Sequence, residues 1–77
     1  MDELLDLVAE ALKIDRESVT AATGPLNESQ WDSFRHVHLV MAVETKYGVE
    51  MSPQEIVGLL SVGDIASLLR SKGVESV

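Results

Sequence analysis

Residues 31–48 have the sequence WDSFRHVHLVMAVETKYG, which has the pattern of one well-bounded helix. It has neither glycine nor proline from Ser33 to Tyr47, and Gly48 stands where a left-handed residue commonly ends a helix. One face of the resulting helix is apolar and consists of Leu39, Val40, Val43 and Tyr47. The pattern therefore predicts a helix from Ser33 to Tyr47 that packs into a core along this face.

A second apolar row lies on the same helix, at the spacing i, i+3 and i+7, and consists of Phe34, Val37 and Met41. A small bundle buries one face of each helix, so this row is expected to lie partly in solvent. Exposed apolar rows are typical of interaction surfaces. Met41 could instead belong to the core, because a rotation of the helix by one position would bury it.

Length and composition exclude several functional classes. A chain of 77 residues is expected to form one domain, residues 1–77, with a core too small for a deep catalytic cleft. The absence of cysteine excludes thiolate nucleophiles, disulfides and cysteine metal sites. The formal charge of -7 would repel nucleic acid and anionic lipid, and it favours partners with basic docking patches.

The start of the chain lacks the features of a targeting segment. Met1-Asp2-Glu3 is acidic and leads into an amphipathic pattern, unlike the basic start of a signal peptide. No stretch approaches the ~20 apolar residues that cross a membrane. We expect a cytoplasmic monomer that neither inserts into membranes nor binds nucleic acid.

Two segments precede residue 31. Apolar residues at helical spacing predict helix one from Asp2 to Lys13. The segment from Ile14 to Gln30 has no sustained period and is predicted to be a long loop, and such loops are usually functional or held down by side chains. Three residues are expected to anchor it, with Trp31 favoured as an anchor over a binding platform: Val19, Leu26 and Trp31.

Two further helices are predicted after residue 48. Ser52-Pro53-Gln54-Glu55 has the form of a helix start with a capping box, and it predicts a short helix three from Pro53 to Leu59. Ser61 begins the last helix, which is expected to stop near Lys72-Gly73. We therefore predict an all-α fold: a small four-helix bundle with three principal helices, a short third helix, and a long loop between helices one and two.

Ser33 is a candidate site of covalent modification. Serines at helix starts usually serve as caps, but Asp32 is an equally good cap, so the Ser33 hydroxyl is not needed for that role. The free N–H groups and the dipole at a helix N-terminus favour an attached phosphate.

Asp32-Ser33-Phe34 resembles the Asp-Ser-Leu motif of the acyl carrier protein family, in which the serine is esterified by a 4′-phosphopantetheine arm. The resemblance extends through the helix from Val37 to Tyr47 and covers essentially the whole chain. It implies that Ser33 bears the arm, that Asp32 belongs to the motif, and that the chain carries cargo without being an enzyme.

The resemblance also implies partners. A phosphopantetheinyl transferase would use coenzyme A and magnesium to place the arm, and acyl or aminoacyl groups would then travel as thioesters on its thiol. A loading ligase and downstream transferases or synthases would collect this cargo. They would dock on Phe34, Arg35, Val37, His38 and Met41.

The chain departs from the family pattern beside the motif. Arg35, His36 and His38 occupy positions where the familiar fatty-acid carriers have acidic residues, and this favours a dedicated lipid or secondary-metabolite pathway. Trp31 and Phe34 also replace residues usual in the family. The alternative is an unmodified all-helical adaptor that binds a partner through Phe34, Val37 and Met41.

The two histidines allow other hypotheses, which the sequence disfavours. Ser33 and His36 are three residues apart and could form a nucleophile and base, but no third orienting group or oxyanion hole is evident. His36 and His38 are two apart, which sends their side chains to different sides of a helix and does not suit joint metal binding. Both are predicted to be solvated surface residues.

Overall fold

The structure, a computed structural model, describes residues 1–75 and 77. Its elements are α1 (Asp2–Leu12), a 3₁₀-helix (Arg16–Ser18), α2 (Ser33–Tyr47), α3 (Pro53–Val57) and α4 (Val62–Ser71). No strand occurs in this part of the chain, so the predicted all-α bundle with a short third helix is confirmed. Among the same residues, no helix has the length and apolar character that crossing a membrane requires.

Both predicted ends of α2 are confirmed. Asp32 is its N-cap, and Gly48 ends it in the left-handed conformation, with φ 66°. The other boundaries move slightly. α1 ends at Leu12 because Lys13 takes the left-handed C-cap conformation, and α3 ends at Val57 instead of Leu59 because Gly58 is its C-cap.

The core lies between α1, α2 and α4. Leu39, Val40 and Val43 are buried as predicted, whereas Tyr47 is only half-buried. Burying one such aliphatic side chain contributes roughly 1.5–3 kcal/mol. The fully buried side chains come from all three helices: Leu4, Val8, Leu12, Leu39, Val43, Val62, Ile65 and Leu69.

The segment between α1 and α2 is fixed to the start of α4 by backbone hydrogen bonds. The N–H of Val62 donates to the carbonyl of Thr23 at 2.8 Å, and the N–H of Gly63 donates to the carbonyl of Ala21 at 2.9 Å. The 3₁₀-helix within this segment was not predicted. The long connection is therefore an ordered part of the fold that positions residues 31–33.

Two of the three predicted anchors of this segment are confirmed. Val19 and Trp31 are buried, whereas the prediction for Leu26 is wrong, because its side chain is 85% exposed. The Asn27 side chain closes the turn around Leu26: its Oδ1 accepts from the N–H of Gly24 and its Nδ2 donates to the carbonyl of Ala22, both at 2.8 Å. Leu26 lies at the apex of this turn and points into solvent.

Polar contacts hold α3 in place. The predicted capping box is present, with the N–H of Glu55 donating to Ser52 Oγ and the N–H of Ser52 donating to Glu55 Oε1. The hydrogen bond from the Ser52 backbone, followed by that from Lys72, lowers the pKa of Glu55. Lys72 Nζ lies 3.1 Å from Glu55 Oε1 and ties α3 to the end of α4.

The N-terminus of α4 has a modified capping box. Ser61 Oγ accepts from the N–H of Asp64, but Asp64 Oδ2 accepts from the N–H of Leu60 and not from that of Ser61. Asp64 is shorter than the glutamate usual at this position, and it binds the N–H of Leu60, the residue before the cap. This hydrogen bond orders the connection between α3 and α4.

Candidate functional site

Ser33 is the first residue of α2, and its side chain does not cap the helix. The N-cap is Asp32, whose Oδ1 accepts from the N–H of Arg35 at 2.8 Å. Ser33 is exposed, and its hydroxyl has no hydrogen-bond partner among residues 1–75 and 77. The oxygen is therefore accessible to an enzyme that modifies it.

The surroundings of Ser33 fit a phosphodiester. In the described residues, the N–H groups of Ser33 and Phe34 donate to no other group, and the first turn of α2 carries no acidic side chain. A helix of 15 residues also presents the positive end of its dipole at this point. The phosphate of an esterified arm would meet free donors and favourable charge there.

An open groove of about 550 Å³ lies between the start of α2 and α3, with Ser33 on its rim. Its polar lining includes Asp32 and His36. Most of the lining is apolar and consists of Pro25, Trp31, Val37, Ile56, Val57, Leu59 and Leu60. An arm rooted at Ser33 would therefore have an apolar surface within reach.

His36 forms the inner wall of this groove. Trp31 Nε1–H donates to His36 Nδ1 at 2.8 Å. Because Nδ1 accepts, the ring proton is on Nε2, which donates to the carbonyl of Ile56 at 2.8 Å. Both ring nitrogens are engaged, so the residue cannot serve as a base for Ser33.

The prediction that His36 is a solvated surface residue is therefore wrong, whereas His38 is exposed as predicted. One sequence signal was available: a buried tryptophan needs an acceptor for its indole N–H, and His36 follows Trp31 by five residues. Among the described residues, no three His, Asp or Glu side chains are grouped closely enough to hold a metal ion.

The second apolar row of α2 lies in solvent, as predicted. Phe34 is 83%, Val37 54% and Met41 60% exposed, which places Met41 on the surface and not in the core. The sequence did not reveal that Val57 and Leu60 extend this apolar surface across the groove. The available signal was the nearby Gly58, a weak helix former that predicts a short α3. A short helix can bury few apolar side chains.

Apart from the N-cap Asp32, the side chains near Ser33 are neutral to positive, although the whole chain is acidic. Arg35 reaches back to Gln30, donating to its carbonyl oxygen and to its side-chain oxygen, and His38 is exposed one turn further on. The acidic residue within α2, Glu44, is half-buried and accepts from the N–H of Met51 at 2.8 Å. The part of α2 nearest Ser33 is thus basic, although the net charge is -7.

Comparison with known proteins agrees with this geometry. The family model described as "Phosphopantetheine attachment site" matches residues 2–69. The acyl carrier protein of Campylobacter curvus is 33% identical over 72 residues, covering 94% of each chain. That of Bdellovibrio bacteriovorus is 34% identical over 68 residues, covering 88% of this chain and 87% of the relative.

A solved structure with the same fold is the solution NMR structure of a holo acyl carrier protein from Geobacter metallireducens. It has a TM-score of 0.80 and 28% sequence identity, and the match covers 92% of this chain and 82% of that one. A family match over most of the chain, relatives along nearly its full length and a shared fold all agree. The chain therefore belongs to the acyl carrier protein family, as a carrier and not an enzyme, with 4′-phosphopantetheine as its prosthetic group.

Proposed function

We propose that Ser33 is the residue to which 4′-phosphopantetheine is attached, and that acyl or aminoacyl cargo is held there as a thioester. The observation that carries this proposal is the exposed Ser33 hydroxyl at the N-terminus of α2, left free because Asp32 performs the capping. The apolar groove that begins at Ser33 supports it.

Attachment is a phosphoryl transfer in which Ser33 is the nucleophile. Ser33 Oγ forms a bond to the phosphorus that links pantetheine to the rest of coenzyme A, and the pyrophosphate P–O bond breaks. Adenosine 3′,5′-bisphosphate leaves, and the serine proton passes to a base on the phosphopantetheinyl transferase. His36 is not available as this base, because both of its ring nitrogens are engaged.

When bound, the prosthetic group supplies a terminal thiol, the atom that forms thioesters. This chain has no cysteine of its own, so its cargo chemistry depends on that thiol. The residues around Ser33 would hold the group: the free N–H groups of the first turn would donate to its phosphate, and the groove would offer apolar contact.

Intact-mass spectrometry tests the attachment. The chain is incubated with coenzyme A, magnesium and a broad-range phosphopantetheinyl transferase, and its mass is expected to rise by one phosphopantetheine. An unchanged mass with a transferase that modifies another carrier in parallel would contradict the proposal.

We further propose that partner enzymes dock on the exposed face of α2 formed by Phe34, Arg35, Val37, His38 and Met41. The apolar row would supply the contact area, and such rows stabilise complexes when a partner covers them. Arg35 and His38 belong to this face and Lys13 lies beside it, against one carboxylate, Asp32, so complementary partners would carry acidic residues around an apolar centre. This is the reverse of the basic patches that the net charge favours.

A charge placed in the apolar row should weaken docking. Met41→Asp is expected to lower kcat/KM of the transferase about tenfold or more, because the carboxylate would have to lose water in the interface. Met41 is 60% exposed, so the fold should tolerate the change. The measurement is the initial rate of arm addition at several carrier concentrations.

Ser67→Asp provides the matched control for this prediction. It adds the same charge to an exposed position on α4, outside the face formed by α2. Its kcat/KM should stay within about twofold of the parent chain, since an exposed charge away from the interface contributes little. Equal losses in both variants would show that net charge, and not this face, governs docking.

The basic start of α2 supports a dedicated lipid or secondary-metabolite pathway as the origin of the partners. The cytoplasmic location stays a prediction. The unmodified adaptor is no longer a competing function. Family members carry phosphopantetheine, and the face that the adaptor would use is the one proposed here for carrier partners.

A further inference from the structure

α3 has few contacts of its own. It is five residues long, and none of its side chains is completely buried. At its start the capping box is internal, and Lys72, the C-cap of α4, pairs with Glu55. On the side facing α2, the carbonyl of Ile56 accepts from His36 Nε2–H at 2.8 Å. This hydrogen bond therefore joins the shortest α-helix of the bundle to α2.

The imidazole of His36 also holds the end of the long loop. Its Nδ1 accepts from the indole N–H of Trp31, and the two ring centroids lie 6.0 Å apart at 31°. Trp31 is 2% exposed, so water cannot readily replace a lost partner of its N–H. One ring thus connects three segments: the loop, α2 and α3.

All three residues of this bridge line the groove on whose rim Ser33 lies. Ile56 is hydrogen-bonded to His36 across the groove between α3 and α2, and Trp31, at the end of the loop, is hydrogen-bonded to the same ring. A change in the bridge would therefore alter the width of the groove while leaving the capped start of α2 intact.

We propose that His36 is a positioning residue of the carrier: it ties Trp31 and α3 to the base of α2 and so keeps the groove open at a fixed width for the arm. The part that concerns the arm rests on the proposed attachment at Ser33. The bridge itself is a property of the chain before modification, and this allows the two to be tested separately.

Two variants at position 36 distinguish the effect of the hydrogen bonds from the effect of the side-chain volume. Gln can accept with its side-chain oxygen and donate with its nitrogen, so His36→Gln preserves both roles of the imidazole. Leu fills similar space and can do neither, so His36→Leu removes both bonds. Thr45→Leu adds the same apolar side chain to an exposed position of α2 and serves as the control.

The first measurement is amide and indole hydrogen exchange of the unmodified chain by NMR. The chain has one tryptophan, so the indole N–H gives one signal. In His36→Leu, exchange of this signal and of the amides of residues 56–58 should accelerate about tenfold or more, while α1 and α4 keep their protection. His36→Gln and Thr45→Leu should stay within about twofold of the parent. Unchanged exchange in residues 56–58 of His36→Leu would overturn the proposal.

The second measurement concerns the arm. Methyl signals of Ile56 and Leu60 are compared before and after coenzyme A and the transferase have modified the chain. Modification should change the chemical shifts of these methyl groups in the parent chain and in His36→Gln. In His36→Leu the change should be at most half as large. Equal shifts in all three would overturn the role toward the arm. Failure of attachment is distinguishable, because the mass would not change, whereas the exchange measurement needs no arm.

Discussion

Ser33→Ala is expected to abolish addition of phosphopantetheine while the bundle stays folded. The substitution removes the nucleophilic oxygen and little else, since Asp32 caps α2 and the hydroxyl contacts no other described group. Alanine suits the first turn of a helix, so the free energy of unfolding should change by about 0.5 kcal/mol or less. Intact-mass spectrometry measures the first effect, and urea denaturation measures the second.

Two other serines make this prediction specific. Ser29→Ala changes an exposed serine just before α2, and Ser61→Ala removes the cap of α4 at a cost of about 1 kcal/mol. Both variants should accept one arm as fully as the parent chain. An arm on Ser33→Ala, or its loss from either of the other two, would show that the attachment site lies elsewhere.

The proposed site could be predicted from the sequence because its determinants are local. The side chain of Asp32 caps the N-terminus of α2, and the left-handed backbone of Gly48 ends the helix. Both residues act on backbone groups only a few positions away. These two residues place Ser33 on the first turn of α2 without reference to any tertiary contact. The solvent-exposed row of α2 followed from the same register, since one helix cannot bury two faces in a bundle of this size.

His36 could not be assigned in this way, because one of its partners is a backbone carbonyl 20 residues away. Every residue type offers the same carbonyl, so nothing in the sequence marks Ile56 as the acceptor. The exposure of Leu26 could not be predicted from the sequence either, and that of Val57 was indicated only by the neighbouring Gly58. Apolar character favours burial, but the geometry of a turn or of a five-residue helix decides whether any surface is available to cover them.

Gly24→Ala is expected to destabilise the fold by about 3 kcal/mol. A Cβ atom at Gly24 would lie 1.9 Å from the carbonyl oxygen of Leu60 and 2.8 Å from its carbonyl carbon. Both are backbone atoms, so no side-chain rotation relieves the overlap, and the loop has to move away from the start of α4. That movement would stretch the hydrogen bond from Val62 to Thr23. Urea denaturation should show a lower midpoint.

Gly58→Ala is the matched control, because it adds the same methyl group at the end of α3. There the nearest atom, the carbonyl oxygen of Gln54, would lie 3.4 Å away, and φ is -80°, which alanine adopts without strain. This variant should be neutral or more stable by up to about 1 kcal/mol, since alanine restricts the unfolded chain. Equal midpoints for the two variants would contradict the close approach of the loop to Leu60.

The same contact connects the stability of the loop to the proposed site. Leu60 and Pro25, the neighbour of Gly24, both line the groove beside Ser33. A loop displaced by Gly24→Ala should therefore reduce the shift of the Leu60 methyl signal on arm attachment, even at temperatures where the chain stays folded. Ser33 itself remains at the capped start of α2, so the arm should still be added. Loss of the Leu60 shift without loss of attachment would show that the groove and the nucleophile have separate roles. A substitution at Ser33 cannot show this, because it prevents attachment.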